Sequence, residues 1–101
     1  MESVAIRVRA RVVGWVSDDF PGWLEVIVRD AGGEDHHIVD KVPVLTSRPI
    51  GPGSTLPPEL WLQADMIQVT AHQVEIALGW DIETVGGRRV LTVSVDDVIW
   101  I

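Results

Sequence analysis

Residues 74–95 read VEIALGWDIETVGGRRVLTVSV, and in this stretch apolar and polar residues alternate on both sides of a Gly86–Gly87 pair. A two-residue period is typical of a half-buried strand, and Gly-Gly favours a two-residue hairpin loop. With that loop, Val85 faces Arg88, and the stretch predicts an antiparallel hairpin with one dry and one wet face. The predicted apolar pairs are Ile82 with Leu91, Trp80 with Val93 and Leu78 with Val95.

The first part of the chain shows the same period in three further stretches. Residues 4–13 alternate cleanly and predict strand 1, and residues 23–30 predict strand 2 with Leu24, Val26 and Val28 inward. The sequence Phe20-Pro21-Gly22-Trp23 between them predicts a type II turn. Residues 34–45 predict strand 3, ending near Pro43 at an edge or bulge. Its register stays open, since a two-residue loop pairs Val26 with His37 and a three-residue loop pairs Val26 with Ile38.

The middle of the chain is less regular. Residues 46–59, TSRPIGPGSTLPPE, have no period and predict a long Pro/Gly loop between strands 3 and 4. Residues 60–71 predict strand 4 with a bulge near Met66, and a helix over 58–72 is the alternative. A slip in the pattern at Asp96–Asp97 predicts a bulge in a long, bent last strand.

These elements predict one all-β domain over residues 1–101, a small six-stranded antiparallel barrel. The order of strands resembles that of an oligonucleotide/oligosaccharide-binding (OB) barrel or an SH3-like barrel. The resemblance is one of layout and carries no function.

The amino-acid composition excludes some classes of function and disfavours others. The chain has no cysteine, which excludes disulfides, thiolate catalysis and Cys-ligated zinc. It has no run of 18 apolar residues, and its N-terminal stretch alternates with arginines unlike a signal peptide, so we expect a cytoplasmic protein without a membrane segment. The net charge of −7 argues against a general nucleic-acid binder and fits a basic protein partner.

Three arginines, Arg7, Arg9 and Arg11, stand on the polar face of strand 1 about 6.6 Å apart. A regular row of guanidinium groups suits an anionic ligand. The alternative is that, in an acidic protein, the three arginines form ion pairs with carboxylates on flanking strands, such as Glu25.

Other candidate constellations do not predict catalysis or a cofactor. His36 and His37 are metal-ligand types, but neighbours on a strand point to opposite faces, so we expect no metal site. The pairs Asp18–Asp19 and Asp96–Asp97 each share one wet environment, unlike acid/base pairs. The serines have no nucleophile-elbow context, and the loop at Gly51–Ser54 is not a phosphate loop. We therefore expect a protein that is not an enzyme.

One loop gathers aromatic and acidic residues and is the predicted binding site; it contains Trp15, Asp18, Asp19, Phe20 and Trp23. The aromatic rings either contact a ligand or partner or plug the end of the barrel. The sequence predicts an interaction module that binds a protein, or itself, through this loop and residues 47–58. An inhibitor-like or immunity-like role toward a basic partner is one version. The alternatives are a saccharide or small anion at the barrel mouth, and nucleic acid on the arginine row.

Overall fold

The computed structural model describes residues 4–100, and antiparallel strands make up most of this range. The elements are β1 (Val4–Ser17), β2 (Trp23–Arg29), β3 (Asp35–Lys41), helix α1 (Val42–Leu45), β4 (Glu59–Val69), β5 (Gln73–Leu78), β6 (Val90–Ser94) and β7 (Val98–Trp100). The all-β prediction is confirmed. Residues 1–3 and 101 of the predicted domain lie outside the described range. In residues 4–100, no helix has the length and apolar character needed to cross a membrane.

Strand β1 is the centre of the sheet. The order of strands is β3-β2-β1-β4-β5-β6, and β7 pairs with β1 as well. Residues 4–11 of β1 pair with β4 on one edge; on the other edge, residues 6–8 pair with β7 and residues 11–17 with β2. The sheet curls into a half-barrel, and its two ends are linked by backbone hydrogen bonds from Ala31 to Thr92 (2.8 Å) and from Val85 to His37 (2.7 Å).

The core fills the concave side of this curled sheet. Alternation along β1 buries Ile6, Val8 and Ala10 completely, as the sequence predicts, and turns the intervening arginines away from the core. The other buried hydrophobic residues of the described range are Leu24, Val26, Ile27, Val28, Ile38, Val42, Leu45, Leu60, Leu62, Ala64, Val74, Ile76, Leu78, Ile82, Leu91, Val93 and Val98. Most of these are β-branched residues or leucines, which fit a pleated, half-buried surface.

The hairpin of residues 74–95 exists, but its predicted register is wrong. Ile76, not Ile82, pairs with Leu91, and residues 79–89 form a wide loop instead of a two-residue one. Gly87 does close a tight turn, because its N–H donates to the Thr84 carbonyl (2.8 Å). The strand is nevertheless interrupted at Gly79, whose N–H donates to Gln63 of β4 (2.9 Å).

The register error has a physical reason. The observed pairing differs from the predicted one by six residues, which is an even number, so every side chain on the paired strands keeps its face. Leu78, Leu91 and Val93 are therefore buried as predicted, and Ile82 is buried as well although it lies in the loop. Trp80 is the exception: it is 69% exposed, because it lies in the loop rather than opposite Val93.

Strand β3 follows the three-residue-loop alternative, with Val26 opposite Ile38. The prediction that this strand continues to Leu45 is wrong, since it ends at Lys41 and residues 42–45 form α1. Pro43 lies in the first turn of that helix. N–H groups in a first turn have no intrahelical acceptor, so a proline, which lacks an N–H, costs no hydrogen bond there. The turn before β2 is also displaced from the prediction: Gly22 N–H donates to the Asp19 carbonyl (2.7 Å), so the turn spans residues 19–22.

Strand β4 is a strand and not a helix, and its register on β5 shifts between Met66 and Gln68, beside the predicted bulge. Residues 46–58 between α1 and β4 contain no helix or strand. The predicted count of six strands is wrong, because residues 95–97 form a 3-10 turn in place of a bulge. In that turn the Ser94 hydroxyl accepts from Asp96 N–H (3.2 Å), and the chain leaves β6 to pair with β1 as β7.

Replacing Ile76 by alanine tests the central position of the β5–β6 pair. Ile76 is fully buried opposite Leu91, so Ile76→Ala should lower the free energy of unfolding by about 2–5 kcal/mol. Val85→Ala is the control, since Val85 is 72% exposed, and should change it by less than about 0.5 kcal/mol. Urea unfolding measures both. Equal effects for the two variants would contradict the burial of Ile76 in the core.

Candidate functional site

The indole of Trp15 ties the predicted binding loop to the long connection. Its ring packs over Gly22, where an added Cβ would come within 2.6 Å of ring atom Cζ3. Its Nε1 donates a hydrogen bond to the Ser54 carbonyl (3.0 Å), and its ring lies against the core cluster. Trp15 is therefore partly buried against the core, and its hydrogen bond to Ser54 connects the two loops.

Phe20 behaves in the opposite way. It is 90% exposed and stands at the tip of the loop, next to the exposed carboxylates of Asp18 and Asp19. Asp19 N–H donates to the Ser17 hydroxyl (3.2 Å), which orders the start of the loop. Trp23 is half-buried on β2, with the Lys41 ammonium 5.5 Å from its ring centre. The structure thus gives the three aromatic residues three different environments and does not gather them around one cavity.

The long connection adds a depression beside this loop. An open space of about 430 Å³ is lined by Arg48, Pro49, Ile50, Ser54, Thr55, Leu56 and Pro57. Ser54 is the residue that accepts the bond from Trp15, and an added Cβ on Gly53 would lie 3.8 Å from Asp18 Oδ2. We call residues 18–20 together with residues 48–57 the loop surface. It combines an exposed aromatic ring, two carboxylates and a shallow, largely apolar depression.

The arginine row is partly neutralised by neighbouring strands. Arg9 lies 3.6 Å from Asp97 and 3.9 Å from Glu59, and Arg11 lies 3.7 Å from Asp35. Arg9 also covers the ring of Trp61, 5.1 Å from its centre. The sequence offered pairing with carboxylates as one alternative for these arginines, and these contacts are of that kind. The partner named there, Glu25, instead contacts His37 (2.6 Å).

Arg29 of β2 joins this face, which the sequence pattern of strand 1 could not reveal. Its Nε donates to Asp35 at 2.9 Å. This hydrogen bond, with the nearby positive charges, holds the pKa of Asp35 below its ordinary value. Arg9, Arg11, Arg29, Asp35 and Asp97 surround an open cavity of about 220 Å³. The cavity contains charges of both signs, so it is not a purely cationic site.

The two histidines point to opposite faces, as predicted: His36 is 8% exposed and His37 is exposed. Asp30, Glu34 and His36 offer ligand atoms within 4.8 Å of one another. Asp30 is already engaged, since its Oδ2 lies 2.8 Å from His36 Nε2 and its Oδ1 accepts from the N–H groups of Gly32 and Glu34 (2.9 Å each). These bonds lower the pKa of Asp30, the His36 contact most strongly. Asp30 and its hydrogen-bond partners Gly32, Glu34 and His36 therefore stabilise the turn between β2 and β3.

The most unusual backbone in the described range is the turn at Gly79–Ile82. Ile82 N–H donates to the Gly79 carbonyl (2.9 Å), and the two central residues, Trp80 and Asp81, both have φ of +56°. Two positive φ angles define a type I′ turn, which favours Asn-Gly. A tryptophan here is strained, and its ring is exposed. The sequence missed this position because the predicted register placed Trp80 in the core.

Comparison of the chain with known protein families, with curated proteins and with solved structures finds no match.

Asp30→Asn tests the turn cluster. The pKa of Asp30 lies below its ordinary value of 3.8 in the folded state, so its contribution to stability is fully present above that value. The contribution is lost as the pH falls through the lowered pKa. We expect Asp30→Asn to reduce the free energy of unfolding at pH 7. As the pH falls from about 5 to about 2, the variant should lose less stability than the parent chain. Urea midpoints across this range measure it. Asp19→Asn is the control, and identical pH profiles for the two variants would refute the assignment.

Trp80→Asn tests the strained turn. Asparagine tolerates positive φ better than tryptophan, so the variant should keep or raise the melting temperature, by up to about 4 °C if about 1 kcal/mol of strain is relieved. Differential scanning calorimetry measures the change. A fall of more than about 4 °C would show that the exposed ring is needed for stability instead.

Proposed function

We propose that this protein is a non-enzymatic interaction module that binds a basic protein partner through the loop surface. The observation that carries the proposal is Phe20, an aromatic side chain that is 90% exposed at the tip of an anchored loop. Burying a phenylalanine contributes about 1.5–3 kcal/mol, so a chain that leaves one in water forgoes that stabilisation unless a partner covers it.

The loop surface is held in shape before any partner arrives. Trp15 joins the loop to Ser54, and Gly22 makes room for the indole ring. Prolines 49, 52, 57 and 58 stiffen the neighbouring connection. A preorganised surface loses less conformational freedom on binding, which favours affinity. Phe20 would serve as the anchor and the depression at residues 48–57 as the adjoining pocket.

Charge supports the choice of partner. Asp18 and Asp19 flank Phe20, and the whole chain has a net charge of −7. Opposite charges around an aromatic anchor speed association and disfavour acidic partners. An inhibitor-like or immunity-like role toward a basic protein is the concrete version of this proposal.

The other candidate functions receive less support. Trp15 occupies the space beside Gly22, which favours contact at the outer surface over entry of a saccharide or small anion at the barrel mouth. Arg9 and Arg11 contact carboxylates, which weakens the case for nucleic acid on the arginine row. We also infer an OB-like layout, supported by the β1-β2-β3 meander and by β4 on the other edge of β1.

A photo-crosslinking amino acid at position 20 tests this proposal in lysate of the source cells. We expect it to capture one basic protein. Phe20→Ser should weaken the affinity of the purified pair at least about tenfold, equal to about 1.4 kcal/mol. Asp18→Lys combined with Asp19→Lys should slow association, as measured by surface plasmon resonance.

Val85→Ser is the matched control, since Val85 is another exposed apolar side chain and lies outside the loop surface. It should leave the affinity unchanged. Dimerisation that Phe20→Ser abolishes would assign the surface to self-association. No crosslinked partner together with a monomeric sedimentation profile would overturn the proposal.

A further inference from the structure

A groove lies on the outer face of β4, between this strand, residues 43–47 and the turn that contains Trp80, and it shares no lining residue with the loop surface. It consists of two depressions of about 130 Å³ and about 230 Å³ that share Gln63 and Trp80 in their walls. Arg7 and Trp61 line the first depression, and Asp65 lines the second. Sites for small ligands are usually concave, with aromatic walls and a few polar groups, and this groove has that composition.

Both tryptophans are held in position by the fold. The Arg9 guanidinium, 5.1 Å from the centre of the Trp61 ring, restrains that ring. Trp80 is placed by the turn at Gly79–Ile82, which is clamped by buried Leu78 before it and buried Ile82 after it. A strained, exposed tryptophan costs stability, and such strain persists where the surrounding structure enforces it, often at a binding site.

The polar groups of the groove include both hydrogen-bond donors and hydrogen-bond acceptors. Arg7 offers guanidinium donors, Asp65 offers carboxylate acceptors, and Gln63 between them offers one acceptor and two donors. Sugar hydroxyls donate and accept, and the C–H faces of a sugar ring are apolar and pack on aromatic rings. A proline-rich peptide presents mainly carbonyl acceptors and would leave Asp65 without a partner.

We propose that this groove binds a saccharide, with a sugar ring packed on Trp80 and its hydroxyl groups bonded to Gln63, Arg7 and Asp65. The site is independent of the proposed protein partner. Phe20→Ser leaves this groove intact and Trp80→Asn leaves the loop surface intact, so the two proposals fail separately.

Titration calorimetry with tryptophan fluorescence tests the site, using cellotriose, maltotriose, triacetylchitotriose and a polyproline peptide as probes. We expect at least one of the three sugars to bind in the millimolar range and to change the tryptophan emission. Trp80→Asn and Asp65→Asn should each weaken that binding about tenfold. Trp100→Phe, which alters a tryptophan outside the groove lining, should leave it unchanged.

Circular dichroism spectra matching those of the parent chain establish that each variant is folded. If none of the three sugars binds, the proposal is overturned. It is also overturned if polyproline alone binds, or if sugar binding survives Trp80→Asn in the folded variant.

Discussion

Strand β1 is hydrogen-bonded along both of its edges, and the rest of the sheet is arranged around that pairing. Three strands pair with β1: β2, which follows it directly in the chain, and β4 and β7, which are distant in sequence. One face of β1 buries Ile6, Val8 and Ala10, and these residues meet side chains from both arms of the curled sheet. A strand paired on both sides must present one continuous apolar row, and the alternation in residues 4–13 provides it.

The candidate binding features arise where this regular pattern breaks. The register of β1 on β2 shifts between Val12 and Gly14, and beyond the shift Trp15 pairs with Leu24 and packs against the core. Phe20 follows in the turn that this anchoring holds. A second break occurs after Leu78, where β5 ends and the loop of residues 79–89 begins, and this loop exposes Trp80. Bulges and bends of this kind redirect side chains that an ideal strand would keep on fixed faces.

Much of the fold was predictable from the period-two pattern, and the exceptions have two physical causes. The pattern reports which face a side chain takes, so the outward position of Arg9 and the opposite faces of His36 and His37 could be predicted. It does not report which residue lies opposite, because registers that differ by an even number bury the same set. For that reason the sequence did not predict the exposed position of Trp80. Short helices and 3-10 turns of three or four residues, such as α1, are too brief to show a period.

The candidate sites were harder to predict than the fold. Trp15, Asp18, Asp19 and Phe20 are close in sequence, and a turn between two strands keeps them close in space. Trp61 contacts Arg9 only because β4 pairs with β1. Arg29 and Asp35 face each other across the β2–β3 pair, and Arg11 reaches Asp35 because β2 also pairs with β1. Fourteen residues without a period, 46–59, separate the predicted end of strand 3 from the predicted start of strand 4, so the sequence carries no local signal for the pairing of β4 with β1.

The pairing of β1 on both edges is tested most directly by nuclear Overhauser effects in solution. Val8 lies opposite Leu62 of β4 and opposite Val98 of β7, so its backbone protons should show cross-strand effects to the backbone protons of both residues. Effects to Leu62 without any to Val98, or Val8 cross-strand effects to residues of β6 in place of β7, would contradict this description of the sheet.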